Sequence, residues 1–356
     1  MTKRTGPAVL LVAVVATIVV AYVLRVVRPP APGGKRVAET PPTARPAKVS
    51  GGKLKGGPPP APEAFDVTLS AIPMLDVVAT GLAPQDIPPL SKPRTVGGAV
   101  SPAGAKSPVL GLVVDGVWRA YPIDLLSRHW VVNDVVGGRA VAVFWDPVAD
   151  ASVAYQATVD RKPRQFGATG YCYHGNALFY EAETGSLFLP VLGRFVTGPL
   201  AQRPLRPIVL ERCEWAGWLK RHPETRVAAE KGAEGVSDPR ASGRSPGSPS
   251  APFPADPQQR LAPTDEVLGF IGTDGKAYCC AIARLPTGKG EGTAIKVGGA
   301  RLERTADGQP AALLPGGVWP QQVICRYGAW YGVHPDTVTE GDGGQGTGDR
   351  NGRIGR

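Results

Sequence analysis

The chain has 356 residues, enough for two or three domains, and its 46 glycines and 38 prolines commit much of it to turns and linkers. Its net charge of +10 gathers at one end: residues 1–60 hold ten Lys or Arg against one acid, Glu39, so the remainder is nearly neutral. That remainder has no basic stripe with interleaved aromatics, which excludes nucleic acid as an expected partner, and five cysteines are too few for a disulfide scaffold.

Lys3 and Arg4 precede an unbroken apolar run from Ala8 to Leu24, 17 residues with Thr17 as its one polar member. As a helix it would span about 26 Å, and Val26 and Val27 with snorkelling Arg25 and Arg28 extend it toward bilayer thickness. No small-x-small cleavage site follows it cleanly. Residues 1–28 therefore read as an uncleaved signal anchor, with residues 8–27 in contact with the lipid bilayer. Positive charge flanks both ends, but long domains translocate largely regardless of it. The expected arrangement is single-pass, with the bulk of the chain outside the cytoplasm. Residues 29–63 read as a disordered linker rich in Pro, Gly and Lys. Its lysines either meet anionic lipid headgroups or simply keep the tether soluble.

The main domain is expected over residues 64–228. Ile72-Pro-Met-Leu75 and Ile87-Pro-Pro-Leu90 are proline-fixed extended segments. Val109–Val114 and Val117–Tyr121 flank Asp115-Gly116, a two-residue hairpin signal. Pro122 suits a first helical position, and Ile123–His129 predicts a two-turn helix. Val131–Val136 and Ala140–Trp145 flank Gly137-Gly138. Further hairpins are expected from Ser152–Val159 with Gln165–Tyr171, and from Ala177–Glu181 with Leu187–Leu192. A helix is expected over Glu211–Arg221. The fold class is α+β and predominantly β, in short antiparallel hairpins with a few helices. Residues 229–264 and 341–356 read as a second disordered linker and a disordered tail.

Residues 265–340 look like a shorter second copy. Cys213-x-Trp215-x-x-Trp218-x-x-x-His222-Pro-Glu-Thr225 aligns without gaps to Cys325-x-Tyr327-x-x-Trp330-x-x-x-His334-Pro-Asp-Thr337. Val109-Leu-Gly111, Asp115-Gly116 and Ala120-Tyr121 return as Val267-Leu-Gly269, Asp274-Gly275 and Ala277-Tyr278. Val136-Gly-Gly138 corresponds to Val297-Gly-Gly299. The short copy is expected to pack on the first. The repetition makes His222 and His334 structural helix ends and Cys213 and Cys325 equivalent positions, buried thiols by default with a bridge between the copies as the alternative.

What the second copy lacks is the His-x-x-x-Asn-Asp run. His129, Asn133 and Asp134, with Asp146 and His174, are the candidate pocket. In the functional reading His129 is a base or ligand that Asp134 orients. In the other reading Asn133 and Asp134 bond local backbone at a bulge and His129 caps its helix. His129, Cys172 and His174 would form a metal site only if folding brought them together. There is no phosphate-cradling loop, Gly-x-Ser-x-Gly elbow or His-Glu-x-x-His, so no metal or other cofactor is expected.

Taken together, IPPLSKP (87–93), VLGLVVDGVWRAYP, HWVVNDVVGG, ETGSL (183–187), GPL (198–200) and WAGWLKRHPET resemble the bacterial family called domain of unknown function 3179. The similarity covers residues 70–228 well and 265–338 weakly. The resemblance implies membrane-anchored or exported relatives and carries no assigned activity. It also implies Tyr-Cys-Pro-x-Cys-Gly-Ser after the second hairpin, where this chain has Trp145-Asp146-Pro147-Val148-Ala149-Asp150-Ala151-Ser152. Asp146 and Ala149 occupy the two cysteine places, so thiol chemistry there is absent. The expected function is a membrane-tethered, non-catalytic binding or scaffolding module of unknown ligand. The alternative is a metal-binding protein or hydrolase-like enzyme using His129, Asp134 and Asp146.

Overall fold

In the computed structural model the described residues are 45–58, 61–101, 103–230, 252–286, 294–305 and 308–340. The apolar run 8–24, most of the second linker and the tail 341–356 lie outside them. No helix among the described residues is long and apolar enough to cross a membrane. The described chain is predominantly β, with several short, mostly antiparallel sheets and three short α-helices.

The first copy opens with a hairpin of β1 (Pro108–Val114) and β2 (Val117–Pro122), tightened at Asp115-Gly116, where both residues have positive φ. Helix α1 (Ile123–His129) follows as expected. It buries Ile123, Leu125 and Leu126 and ends at Trp130 in the left-handed conformation. Strands β3 (Val131–Val136) and β4 (Arg139–Asp146) form the second hairpin around Gly137-Gly138, at φ +56° and +76°. Two left-handed residues in succession are the geometry such a turn demands, and glycine adopts it without steric cost. Next come β5 (Ala151–Gln156), β6 (Phe166–Tyr173) and β7 (Asn176–Glu181).

Two sequence expectations are corrected here. Ser152–Val159 is not one strand paired with Gln165–Tyr171. The chain breaks at Ala157, and β5 instead pairs with β4 and with Arg206–Ile208. A separate small ladder, Thr158–Val159 with Lys162–Pro163, turns at Asp160-Arg161. The helix expected over Glu211–Arg221 is likewise shorter. Leu210–Glu214 is strand β8, held in full register against β1, and α2 covers Trp215–Arg221. Sheet pairing wins over helix periodicity because β1 offers a complete ladder edge to that segment.

The duplication is visible in the sheets. In the first copy β8 flanks β1, β1 pairs with β2, and β9 (Arg226–Ala229) runs parallel to β2. In the second copy β10 (Glu266–Ile271), β11 (Ala277–Ala281), β12 (Gln322–Arg326) and β13 (Val338–Thr339) repeat that order and those directions. Helix α3 (Tyr327–Val333) takes the place of α2. Trp218 lies on Gly111 and Trp330 on Gly269, where an added Cβ would meet the indole at 2.3 and 2.4 Å. The indole N–H of Trp218 donates to Thr225 at 3.0 Å, and that of Trp330 to Thr337 at 2.8 Å. His222 and His334 end their helices with matching backbone angles.

The register also corrects one proposed match. Gly111 faces Ala120, whereas Gly269 faces Cys279. Ala120-Tyr121 therefore corresponds to Cys279-Cys280, two residues beyond Ala277-Tyr278. The reason is the turn: five residues, Gly272–Lys276, connect the ladder pair Ile271 and Ala277, where the first copy closes through Asp115-Gly116.

The two copies share one core. A single apolar cluster holds Phe144, Tyr155, Phe166, Phe179 and Phe188 together with Val267, Cys279, Cys325 and Trp330. A second cluster lies between β1–β2 and β3–β4, around Tyr121, Val132, Val143 and Trp145. Arg45–Pro46 and Lys53–Lys55 are strands although the sequence places them in the first linker, and Leu54 is fully buried. Past the second linker's undescribed part, Asp256 is buried and accepts hydrogen bonds from Tyr327 and Arg260.

Candidate functional site

Successive residues of a strand point to opposite faces, so β3 separates Asn133 from Asp134. Asn133 reaches across to β6. Its amide N–H donates to the Phe166 carbonyl at 2.9 Å, and its Oδ1 accepts the Phe166 N–H at 2.8 Å. Asp134 faces the other way, into the second apolar cluster. It accepts the Tyr121 hydroxyl at 2.9 Å and its own neighbour's N–H, from Val135, at 2.7 Å. Arg119 Nη1 lies 3.1 Å from the same carboxylate, both side chains nearly buried. Burial and the adjacent carboxylate push the Tyr121 phenol well above its ordinary range.

His129, in the last turn of α1, is held at both ring nitrogens. Nδ1 lies 2.7 Å from the Pro88 carbonyl and Nε2 lies 2.8 Å from the Glu230 carboxylate. Arg128 joins the same carboxylate at 3.2 Å. Although Glu230 is part-buried, which raises a carboxyl pKa, bonds from His129 and Arg128 hold it below its ordinary value. His129 does not cap its own helix, since Trp130 provides the C-cap.

Asp146, at the end of β4, is 2% exposed. Its Oδ1 accepts the N–H groups of Val148 and Ala149 at 2.9 and 3.1 Å, and its Oδ2 accepts that of Ala177 at 2.6 Å. Burial pushes this carboxyl up to about 6, against the pull of the three donors. The turn it organises, residues 146–149, is where the family resemblance implies a cysteine pair. It is sealed by the second copy, because Arg326 N–H donates to the Ala149 carbonyl at 2.8 Å. Cys172 and Cys325 are both fully buried in the shared core, their thiols pushed well up by burial and by the Asp146 charge. All five cysteines are free thiols.

His174 occupies a different place. With Gly175 it forms the left-handed pair of the turn between β6 and β7. Its Nδ1 lies 2.8 Å from the Gly332 carbonyl of α3, and its Nε2 lies 3.2 Å from Asp76. Beside it, Asn176 donates to the Ala329 carbonyl at 2.9 Å. His174 therefore fastens the turn to the second copy.

Each sequence-selected residue thus has its own partners. Asn133 ties β3 to β6, Asp134 pairs with Arg119 and Tyr121, His129 with Glu230, and His174 with Asp76. Among the described residues no group of three or more His, Cys, Asp or Glu is placed to hold a metal ion. Glu230 and Asp76 were not singled out from sequence. Glu230 stands 101 residues from His129, a separation with no local signal. Arg119 and Tyr121 carried a signal, as polar groups inside an otherwise apolar strand.

No curated protein and no solved structure matches the chain. One family model does, over residues 84–310, which is more than half of the chain and takes in the paired sheets, the 146–149 turn and the start of the second copy. The chain belongs to the family described as protein of unknown function (DUF3179).

Proposed function

We propose that the chain is a membrane-tethered, extracytoplasmic binding or scaffolding module that performs no catalysis. The observation that carries this reading is the 146–149 turn. Where the family resemblance implies two thiols, this chain has a carboxylate engaged by three backbone N–H donors and an alanine that offers no functional group. The other candidate residues are engaged in separate pairs, which supports the same reading. The apolar run 8–24 and its basic flanks support the tether, and the lysines of the linker are suited to anionic headgroups.

Metal content distinguishes this reading from a metal or hydrolase-like centre around His129, Asp134 and Asp146. Full-length protein equilibrated with zinc and then dialysed is expected to retain no stoichiometric metal, and His129→Ala is expected to leave that metal content unchanged. Retention of one zinc per chain, lost in a still-folded His129→Ala variant, would contradict the proposal. Orientation is tested by a reporter fused after Arg356. Reporter activity outside the cytoplasm is expected, and activity inside would overturn the extracytoplasmic assignment.

A further inference from the structure

The IPPLSKP motif meets His129 only through the Pro88 carbonyl, and its remaining residues form one wall of a cavity. The cavity has a volume of about 490 Å³ and lies between Pro89–Lys92 and the start of β6, with Gln165, Tyr180 and Ala182 opposite. That volume falls in the range of small-molecule sites, which run from roughly 300 to 1,000 Å³. The lining includes one cation, Lys92, and no acid.

Two features mark it as a built site. The first is Tyr180, only 1% exposed, whose ring stacks on Phe65 at 5.3 Å. Its hydroxyl end lies over Gly167, where an added Cβ would meet the oxygen at 2.3 Å. Among the described residues no protein group takes its hydrogen bond, and burial alone pushes the phenol up to about 12. The oxygen is not sealed off from solvent, so a ligand acceptor there would replace water as its hydrogen-bond partner.

The second feature is how Asn133 holds both walls. Its side chain fixes Phe166 through two bonds, and its carbonyl accepts the Lys92 N–H at 2.8 Å. Lys92 is left-handed at φ +51°, an unfavourable conformation for a residue with a side chain. Ser91 sits between the walls, within long hydrogen-bond reach of Asn133 and Gln165.

We propose that this cavity binds a small organic carboxylate. The Tyr180 hydroxyl and the Lys92 ammonium meet the carboxylate, while Pro89 and Leu90 pack on its apolar body. Asn133 is a positioning residue that sets the distance between the two walls. This adds a ligand class to the binding-module reading but at a separate place, so a failed titration removes the cavity and leaves the zinc result standing.

The test is a titration of the full chain with benzoate, read by calorimetry and by saturation-transfer NMR. Saturable binding is expected. Tyr180→Phe, which keeps the stack on Phe65, should weaken it about tenfold, the effect of one hydrogen bond to a charged group. Lys92→Gln, a change at an exposed side chain, should weaken it several-fold and remove its salt dependence. Neutral benzamide should bind more weakly than benzoate. Absence of saturable benzoate binding would overturn the proposal. So would equal binding by wild type and Lys92→Gln, which decides the matter even where Tyr180→Phe unfolds.

Discussion

Asp146 shows how one side chain can look like chemistry and act as framework. Three backbone donors converge on it, yet burial still pushes its carboxyl up to about 6. The folded state therefore holds a proton more tightly than the unfolded chain, whose carboxyl titrates near 3.8. This contribution is fully present below about pH 4 and is lost as pH rises to about 6, a change of about 3 kcal/mol. Asp256 and Glu230 act in the opposite sense, since their folded values are lowered. The Asp146 share appears as a difference: unfolding free energies of wild type and Asp146→Asn, measured from pH 4 to 7, should diverge in slope between pH 4 and 6. Parallel curves would show that Asp146 does not titrate there.

At the scale of elements, the two copies make the same joint twice. A helix lays a tryptophan on a strand glycine, and a threonine takes its indole N–H. Gly111→Ala and Gly269→Ala each put a methyl inside that contact. Each should lower stability by about 1–3 kcal/mol, the usual cost of overpacking, measured by denaturant unfolding. A loss in one variant only would mean that the copies are not equivalent at this joint. This joint was legible in the sequence because both tryptophans, both histidines and both threonines keep one spacing. The extent of α2 was not legible. Leu210–Glu214 becomes a strand through pairing with β1, about a hundred positions earlier in the chain. The same limit applies to the Ala-Tyr match, where similar dipeptides sit two residues out of register because the turns differ in length.

Across the whole molecule, the hairpins at Asp115-Gly116 and Gly137-Gly138, helix α1 and the packing of the short copy on the first follow from local pattern and repetition. The candidate pocket does not, because a pocket depends on which strand faces meet. Adjacency along β3 brought Asn133 and Asp134 together in sequence and set them on opposite faces in the fold. His129 and His174 found partners at Glu230 and Gly332, over a hundred residues away. These polar residues serve the framework. Removing such a residue lowers stability, whereas removing a strained catalytic or ligating residue commonly raises it. The most direct measurement is the unfolding free energy of His129→Ala, Asn133→Ala, Asp134→Ala and Asp146→Ala in the full chain. All four should fall, least for His129. Asp134→Ala and Asp146→Ala should lose about 3 kcal/mol or more, since they leave a buried Arg119 or three buried N–H groups without a partner. A gain in stability on removing His129, Asp134 or Asp146 would contradict a framework role for these residues.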